Sequence, residues 1–169
     1  MRVPFIAAWV SNNTEAEIQQ KMPIAQNTIQ QQLGSIIDLF PTLSNLVGIP
    51  IPEAYEIDGY PLQKQLEGRQ NMTRDELFLN HFPHGDHRST YFTSLVDSEW
   101  KVIYHYPSEG KPTYELFHLK NDPFEKENLA DLNPEKLRKM METLAKELNA
   151  KKASYPEVDG QQLELVMPN

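Results

Sequence analysis

Nine consecutive residues, Asn80-His81-Phe82-Pro83-His84-Gly85-Asp86-His87-Arg88, carry three histidines, an aspartate and an arginine, the densest set of reactive side chains in the chain. Near neutral pH an imidazole can donate a hydrogen bond to an anionic oxygen or a hydroxyl, and a guanidinium can clamp an anion with paired donors. His81, His84, His87 and Arg88 are therefore the candidate ligand-binding residues. A zinc cluster of the three histidines with Asp86 is the less favoured reading. The i, i+3, i+6 spacing would need a helix, which Pro83 and Gly85 interrupt, and an extended segment would spread the rings. The plainest alternative is a polar loop after a strand, with His81 bonded to backbone and Arg88 paired to Asp86.

The elements that would hold this block follow from apolar spacing. Glu76 to Phe82, with Leu77, Phe78 and Leu79, predicts a strand that delivers the block at its C-terminal end, the edge at which open α/β sheets bind ligands. Val3 to Val10 is a nearly continuous apolar run, as expected of a strand covered on both faces, whose neighbours would come from other segments. An opening of that kind reads as the middle of a domain, so the chain is expected to be the last part of a longer protein. Ser11 to Gln32 is polar, glutamine-rich and interrupted by Pro23, and predicts a loop with at most a weak helical turn. Leu33 to Ile37 is a further short apolar piece. Asp38 is placed to cap a helix running to Val47, with Pro41 in its first turn and Leu39, Leu43, Leu46 and Val47 along one side. Gly48, Pro50 and Pro52 end it. Asp58-Gly59 predicts a turn before a short amphipathic piece with Leu62 and Leu66, ending at Gly68.

Beyond the block, Tyr91–Leu95, Trp100–Tyr106 and Tyr114–Leu119 are aromatic-rich segments separated by turns, the pattern of an antiparallel meander. Asn133-Pro134 opens a helix whose apolar stripe is Leu137, Met140, Met141, Leu144 and Leu148. The polar remainder is expected to wrap back over the surface. Tyr91, Phe92, Trp100, Tyr104 and Tyr106 suggest sugar stacking, but a meander packed under a helix needs such residues for its core. Asn121-Asp122-Pro123-Phe124-Glu125 lacks the ligand spacing of a calcium loop and reads as a turn. Lys101 is expected to face solvent.

A net charge of −8 opposes binding to a nucleic-acid backbone. The chain has no cysteine, which removes disulfides, thiolate chemistry and cysteine-bound zinc from its repertoire. Its apolar opening is too short to span a membrane and lacks the pattern of a signal peptide. These features leave the compartment open.

Several motifs, in order, resemble the C-terminal portion of the sulfatase family, arylsulfatases and sulfated-glycan sulfatases of the alkaline-phosphatase-like superfamily. They are Arg2-Val3-Pro4-Phe5-Ile6-Ala7-Ala8-Trp9, then Ile37-Asp38-Leu39-Phe40-Pro41-Thr42-Leu43 with Gly48-Ile49, then Asp58-Gly59 with Leu62 and Leu66-Glu67-Gly68. Trp100-Lys101-Val102-Ile103 follows, and Tyr114-Glu115-Leu116-Phe117 leads through Asn121-Asp122-Pro123 to Asn128-Leu129-Ala130. The resemblance implies an α/β fold, here the end of a sulfatase α/β domain over 1–88, then a small antiparallel sheet with one packed helix over 89–169. It implies hydrolysis of sulfate esters of carbohydrates or aryl sulfates in the intact protein, with a periplasmic, secreted or lysosome-like location.

It further implies a formylglycine made from Cys or Ser in a Cys/Ser-x-Pro-x-Arg motif, and a calcium ion held by Asp and Asn residues. Neither that motif nor paired metal ligands stand in this sequence, so both are expected in a missing N-terminal sulfatase region, and the isolated chain is expected to be inactive. Arg2 resembles the arginine anchoring the end of the metal-site loop, with a structural role. His81, His84, His87 and Arg88 resemble residues near the substrate opening. A related phosphate-ester hydrolase is a weaker reading, since its metal ligands too would lie upstream. The alternative of another class is an independent, non-catalytic module binding sulfated glycans or a protein partner.

Overall fold

The computed structural model describes residues 4–11, 13, 15–84, 91–107, 110, 111 and 113–168. Contacts divide the chain into two compact units, one of Val3–Asp75 and one containing Glu76–Asn169.

The C-terminal unit carries the sheet. Strands β1 (Phe78–Phe82), β2 (Phe92–Val96), β3 (Trp100–His105) and β4 (Thr113–His118) form an antiparallel sheet in chain order. Asp97 makes the β2–β3 turn, its Oδ1 accepting the N–H groups of Glu99 at 2.9 Å and Trp100 at 2.5 Å. The register stacks Leu79, Leu95, Val102 and Leu116 in one cross-strand row and His81, Thr93, Tyr104 and Tyr114 in the next, on the same face. A long helix, Pro134–Ala150, buries Leu137, Met140, Met141, Leu144 and Leu148, the stripe expected from its spacing, in the core formed with Leu95, Val102 and Leu116. Each such side chain contributes roughly 1.5–3 kcal/mol by leaving water. Asn128 binds the neighbouring segment to the outer edge of β4. Its Oδ1 accepts the Leu116 N–H and its Nδ2 donates to the Tyr114 carbonyl.

The segment after the long helix returns along the sheet. A minimal hairpin pairs Glu157–Val158 with Gln161–Gln162, and Leu163 and Leu165 pack on the core. Tyr104 Oη donates to the Glu164 carbonyl at 3.0 Å and accepts the Val166 N–H at 3.1 Å, while Tyr114 Oη donates to the Val166 carbonyl at 3.0 Å.

The N-terminal unit holds short helices α1 (Glu17–Lys21), α2 (Leu39–Val47) and α3 (Gln63–Leu66); the long C-terminal helix is α4. A one-turn 3-10 helix, Ile36–Asp38, precedes α2. Residues 4–10, expected as a strand, are irregular, with Phe5, Ile6 and Val10 exposed. A strand persists only where a second one satisfies its backbone groups, and among the described residues no strand pairs with it. The spacing of α2 is helical as expected, and Gly48 closes it with φ 72°. Its inward side differs, however. Pro41 and Thr42 are buried, whereas Phe40, Leu43 and Val47 are more than half exposed. Thr42 anchors the helix, donating from Oγ1 to the Asp38 carbonyl at 2.6 Å and accepting the Leu62 N–H at 2.9 Å.

Two further expectations change. Asp38 does not cap α2. Its carboxylate turns back to accept the N–H of Ser35 at 2.7 Å and of Tyr60 at 2.8 Å, and pairs with Arg74 at 2.8 Å, fully buried. Lys101 is not in solvent, because Glu125 holds its ammonium at 2.5 Å.

A mixed helix-and-sheet fold ending in an antiparallel sheet with one packed helix stands as expected from sequence. Strand β1, however, pairs antiparallel with β2 and belongs to the later unit. Along the chain the two compact units divide between Asp75 and Glu76.

Candidate functional site

The histidine block begins in β1, which among the described residues is an edge strand paired on one side only. Alternation sends Leu79 and His81 to the face that bears α4, and Phe78, Asn80 and Phe82 to the other. The imidazole of His81 is occupied on both sides. Nδ1 lies 2.6 Å from Thr93 Oγ1, and Nε2 lies 2.7 Å from the carbonyl oxygen of Ser154. A carbonyl only accepts, so Nε2 carries the hydrogen. In the neutral ring Nδ1 then accepts from the Thr93 hydroxyl, which itself lies 3.2 Å from the Tyr106 hydroxyl. Thr93 and Tyr106 are essentially without solvent exposure. Burial pushes the Tyr106 phenol up to about 12, against the hydrogen bond with Thr93, so it remains a hydroxyl through the ordinary range. Tyr106 and Tyr155 meet the His81 ring edge-on at 6.4 and 6.3 Å between centroids. The His81 ring is thus bonded to the Thr93 side chain at Nδ1 and to backbone at Nε2.

Two residues separate His81 from His84. Phe82 stacks on Phe92 at 4.8 Å with 26° between the rings, and Pro83 follows. His84 comes next and is exposed. His87, Arg88, Asp86 and Arg2 lie outside the described residues, as do the proposed Asp86–Arg88 pair and two of the four members of the zinc cluster. Among the described residues no group of three or more histidine, aspartate or glutamate side chains could hold a metal ion. No helix among them is long and apolar enough to cross a membrane.

The other candidates resolve towards structure. Tyr104 and Tyr106 are buried, and Tyr91 and Trp100 pack against the same core. Phe92 lies on the opposite face between Phe82 and His105. Asp122 forms a turn, its Oδ2 accepting the N–H groups of Lys126 at 2.6 Å and Glu127 at 2.9 Å. The Glu127 N–H, helped by those of Lys126 and Phe124 against the cost of desolvation, holds the Asp122 carboxyl below its ordinary value. A cavity of about 370 Å³ lies between α4 and the returning tail, lined in part by Asn149, Tyr155, Gln162 and Glu164.

Thr93 and Ser154 were not among the residues singled out from sequence, and Tyr106 was read there only as core. Thr93 was within reach, since pairing β1 with β2 sets it opposite His81. Ser154 had no local signal, being 73 positions from its partner.

A meander under one helix with Asn128-Leu129-Ala130 stitched to its edge is the architecture in which the family motifs fall. Residues 2–154 match the family described as N-sulphoglucosamine sulphohydrolase, C-terminal. The chain belongs to that family and is a sulfatase C-terminal portion. Arylsulfatase K of Xenopus laevis is 30% identical over 113 residues, covering 63% of this chain and 20% of that protein. The N-acetylgalactosamine-6-O-sulfatase of Bacteroides thetaiotaomicron is 27% identical over 157 residues, 85% of this chain and 26% of that one. The chain therefore spans a quarter or less of the length of these relatives, to within a percentage point. A solved structure of a protein in complex with its substrate D-glucosamine-2-N,6-O-disulfate shares the fold, with TM-score 0.56 and 21% identity over 68% of this chain and 24% of that one.

Proposed function

We propose that this chain is the C-terminal part of a sulfuric ester hydrolase acting on sulfated carbohydrates, and that its histidine block selects the substrate. The observation that carries the reading is the family match over 2–154 on a sheet whose edge strand runs directly into His84. In this reading residues up to 75 complete the α/β domain of the intact enzyme, and the sheet-and-helix unit supplies recognition. His84 and His87 donate hydrogen bonds to a sulfate oxygen or to a hydroxyl of the sugar ring. Arg88 supplies paired donors to a second anionic group, and Arg2 braces the end of a loop structurally.

Formylglycine and calcium, which the family implies, do not fit the residues present. The sequence has no cysteine and no serine followed by Pro and Arg at the motif's spacing, and the described residues contain no metal-holding group. Both belong to a region preceding these residues, and the isolated chain turns over no sulfate ester.

The test uses the gene product at its native length. Peptides from 134–150 should identify a species several times heavier than 19.5 kDa. The probe is D-glucosamine-2-N,6-O-disulfate. It combines the N-sulfo group in the family's description with the 6-O position named for the Bacteroides relative. A hydrogen bond to a charged group is worth about 1.5–3 kcal/mol. His84→Ala should therefore lower kcat/KM by about tenfold or more. An unchanged kcat/KM, or a native product of 19.5 kDa, would sink the reading.

A further inference from the structure

We infer that His81 is the positioning residue of the substrate-recognition block: by joining Thr93 to the carbonyl of Ser154, it ties the end of β1 to the C-terminal tail and sets where His84 is presented. The inference rests on the proposed role of His84 and adds to it a residue, and a segment of chain, that do not touch substrate.

The tail is bolted to a single row of the sheet. His81, Thr93, Tyr104 and Tyr114 stand side by side across β1 to β4. Three of the four reach the tail backbone: His81 at Ser154, Tyr104 at Glu164 and Val166, and Tyr114 at Val166. At the β4 end the bolt only holds the tail. At the β1 end it also holds a strand that, among the described residues, has a neighbour on one side only and would otherwise fray. From that fixed point to His84 there are two residues, and neither is free to swing. Phe82 is stacked on Phe92, and Pro83 has its φ locked by its ring and restricts the residue before it. A shift at His81 is therefore passed to His84 with little loss.

The experiment compares variants in the native-length protein, with D-glucosamine-2-N,6-O-disulfate as substrate. His81→Phe keeps a ring but loses both bonds, and should lower kcat/KM by about tenfold or more, as small misplacements of binding groups do. His81→Gln, whose amide can accept from Thr93 and donate to Ser154, should recover most of the loss. Tyr114→Phe removes a tail bolt far from β1 and should leave kcat/KM unaltered. In the His84→Ala background His81→Phe should have no further effect, because the two act as one unit. An equal loss in Tyr114→Phe, or an additive loss in the double variant, would show general destabilisation and overturn the inference. So would wild-type kcat/KM in His81→Phe when His84→Ala is impaired.

Backbone amide resonances of His84 separate this from the functional reading. They should move in His81→Phe and return in His81→Gln, whether or not His84→Ala affects turnover. Should they stay in place in His81→Phe, the positioning role fails on its own, with the proposed function untouched. If His81→Phe does not fold, Thr93→Val is read in the same way, with the same two outcomes.

Discussion

At the scale of single residues, Asp38 shows how far a side chain's structural role can exceed its local signal. A carboxylate before an apolar helical run reads as a cap, and the sequence supports nothing more. In the structure the same carboxylate holds together three separated stretches, through Ser35 N–H, Tyr60 N–H and the guanidinium of Arg74. Asp38 and Arg74 are both almost completely buried, and Arg74 also lies 5.5 Å over the Tyr60 ring. A buried ion pair adds little relative to an apolar replacement of both partners, but removing one partner leaves the other charge buried without its match. Asp38→Ala should therefore destabilise the N-terminal unit by about 3–5 kcal/mol. The loss would be read as a fall in the urea midpoint followed by Trp9, whose indole N–H donates to the Met22 carbonyl within that unit. A change below about 0.5 kcal/mol, the size expected of a surface substitution, would contradict the buried network.

At the scale of elements, the C-terminal sheet and α4 were legible because each is patterned by its own period. The α4 stripe repeats at helical spacing, so its buried residues could be named in advance, and the turns of the meander marked out its strands, though not Leu95, Val102 and Leu116 as its core. The 4–10 segment misled for the converse reason. An apolar run states that a stretch will be covered, but not whether the covering strand is in the same chain. The return of the tail was expected, but its points of attachment were illegible because it adheres through its backbone carbonyls to Tyr104, Tyr114 and His81, and backbone groups are common to every residue.

Those tyrosines yield a pH prediction for the sheet. Burial raises the pKa values of Tyr104, Tyr106 and Tyr114 above the ordinary 10.0, Tyr106 to about 12. A raised pKa means that the folded state retains protons the unfolded chain has lost. The stabilisation is complete below pH 10, and it declines as pH climbs through the folded values towards about 12. Phenolate absorbance should lag behind that of free tyrosine and then rise together with loss of the sheet signal in circular dichroism. Tyr106→Phe should blunt the alkaline transition, and an early, reversible titration of all three phenols in the folded state would refute the assignment.

On the scale of the whole molecule, the two units differ in how much of their apolar surface they cover by themselves. The C-terminal unit closes a core around Leu95, Val102, Leu116 and the α4 stripe. The N-terminal unit keeps Phe40, Leu43, Val47 and Ile49 more than half exposed along and just after α2, with Ile36 exposed before it. Such a contiguous apolar patch in a folded protein marks a contact surface. In the proposed sulfatase the surface would lie against the region that precedes these residues, the three-quarters or so of the relatives' length that this chain does not span. A unit whose apolar residues lack that cover opens locally at low cost, and local opening governs cleavage when reclosing is fast. Brief proteolysis of the 169-residue chain expressed alone should therefore degrade 4–75 first and leave a resistant core of 76–168. In the native-length product the same bonds in 4–75 should resist cleavage. Mass spectrometry of the fragments decides the matter, and equal protection of the two units in the isolated chain would mean that the N-terminal unit is stable without a covering region.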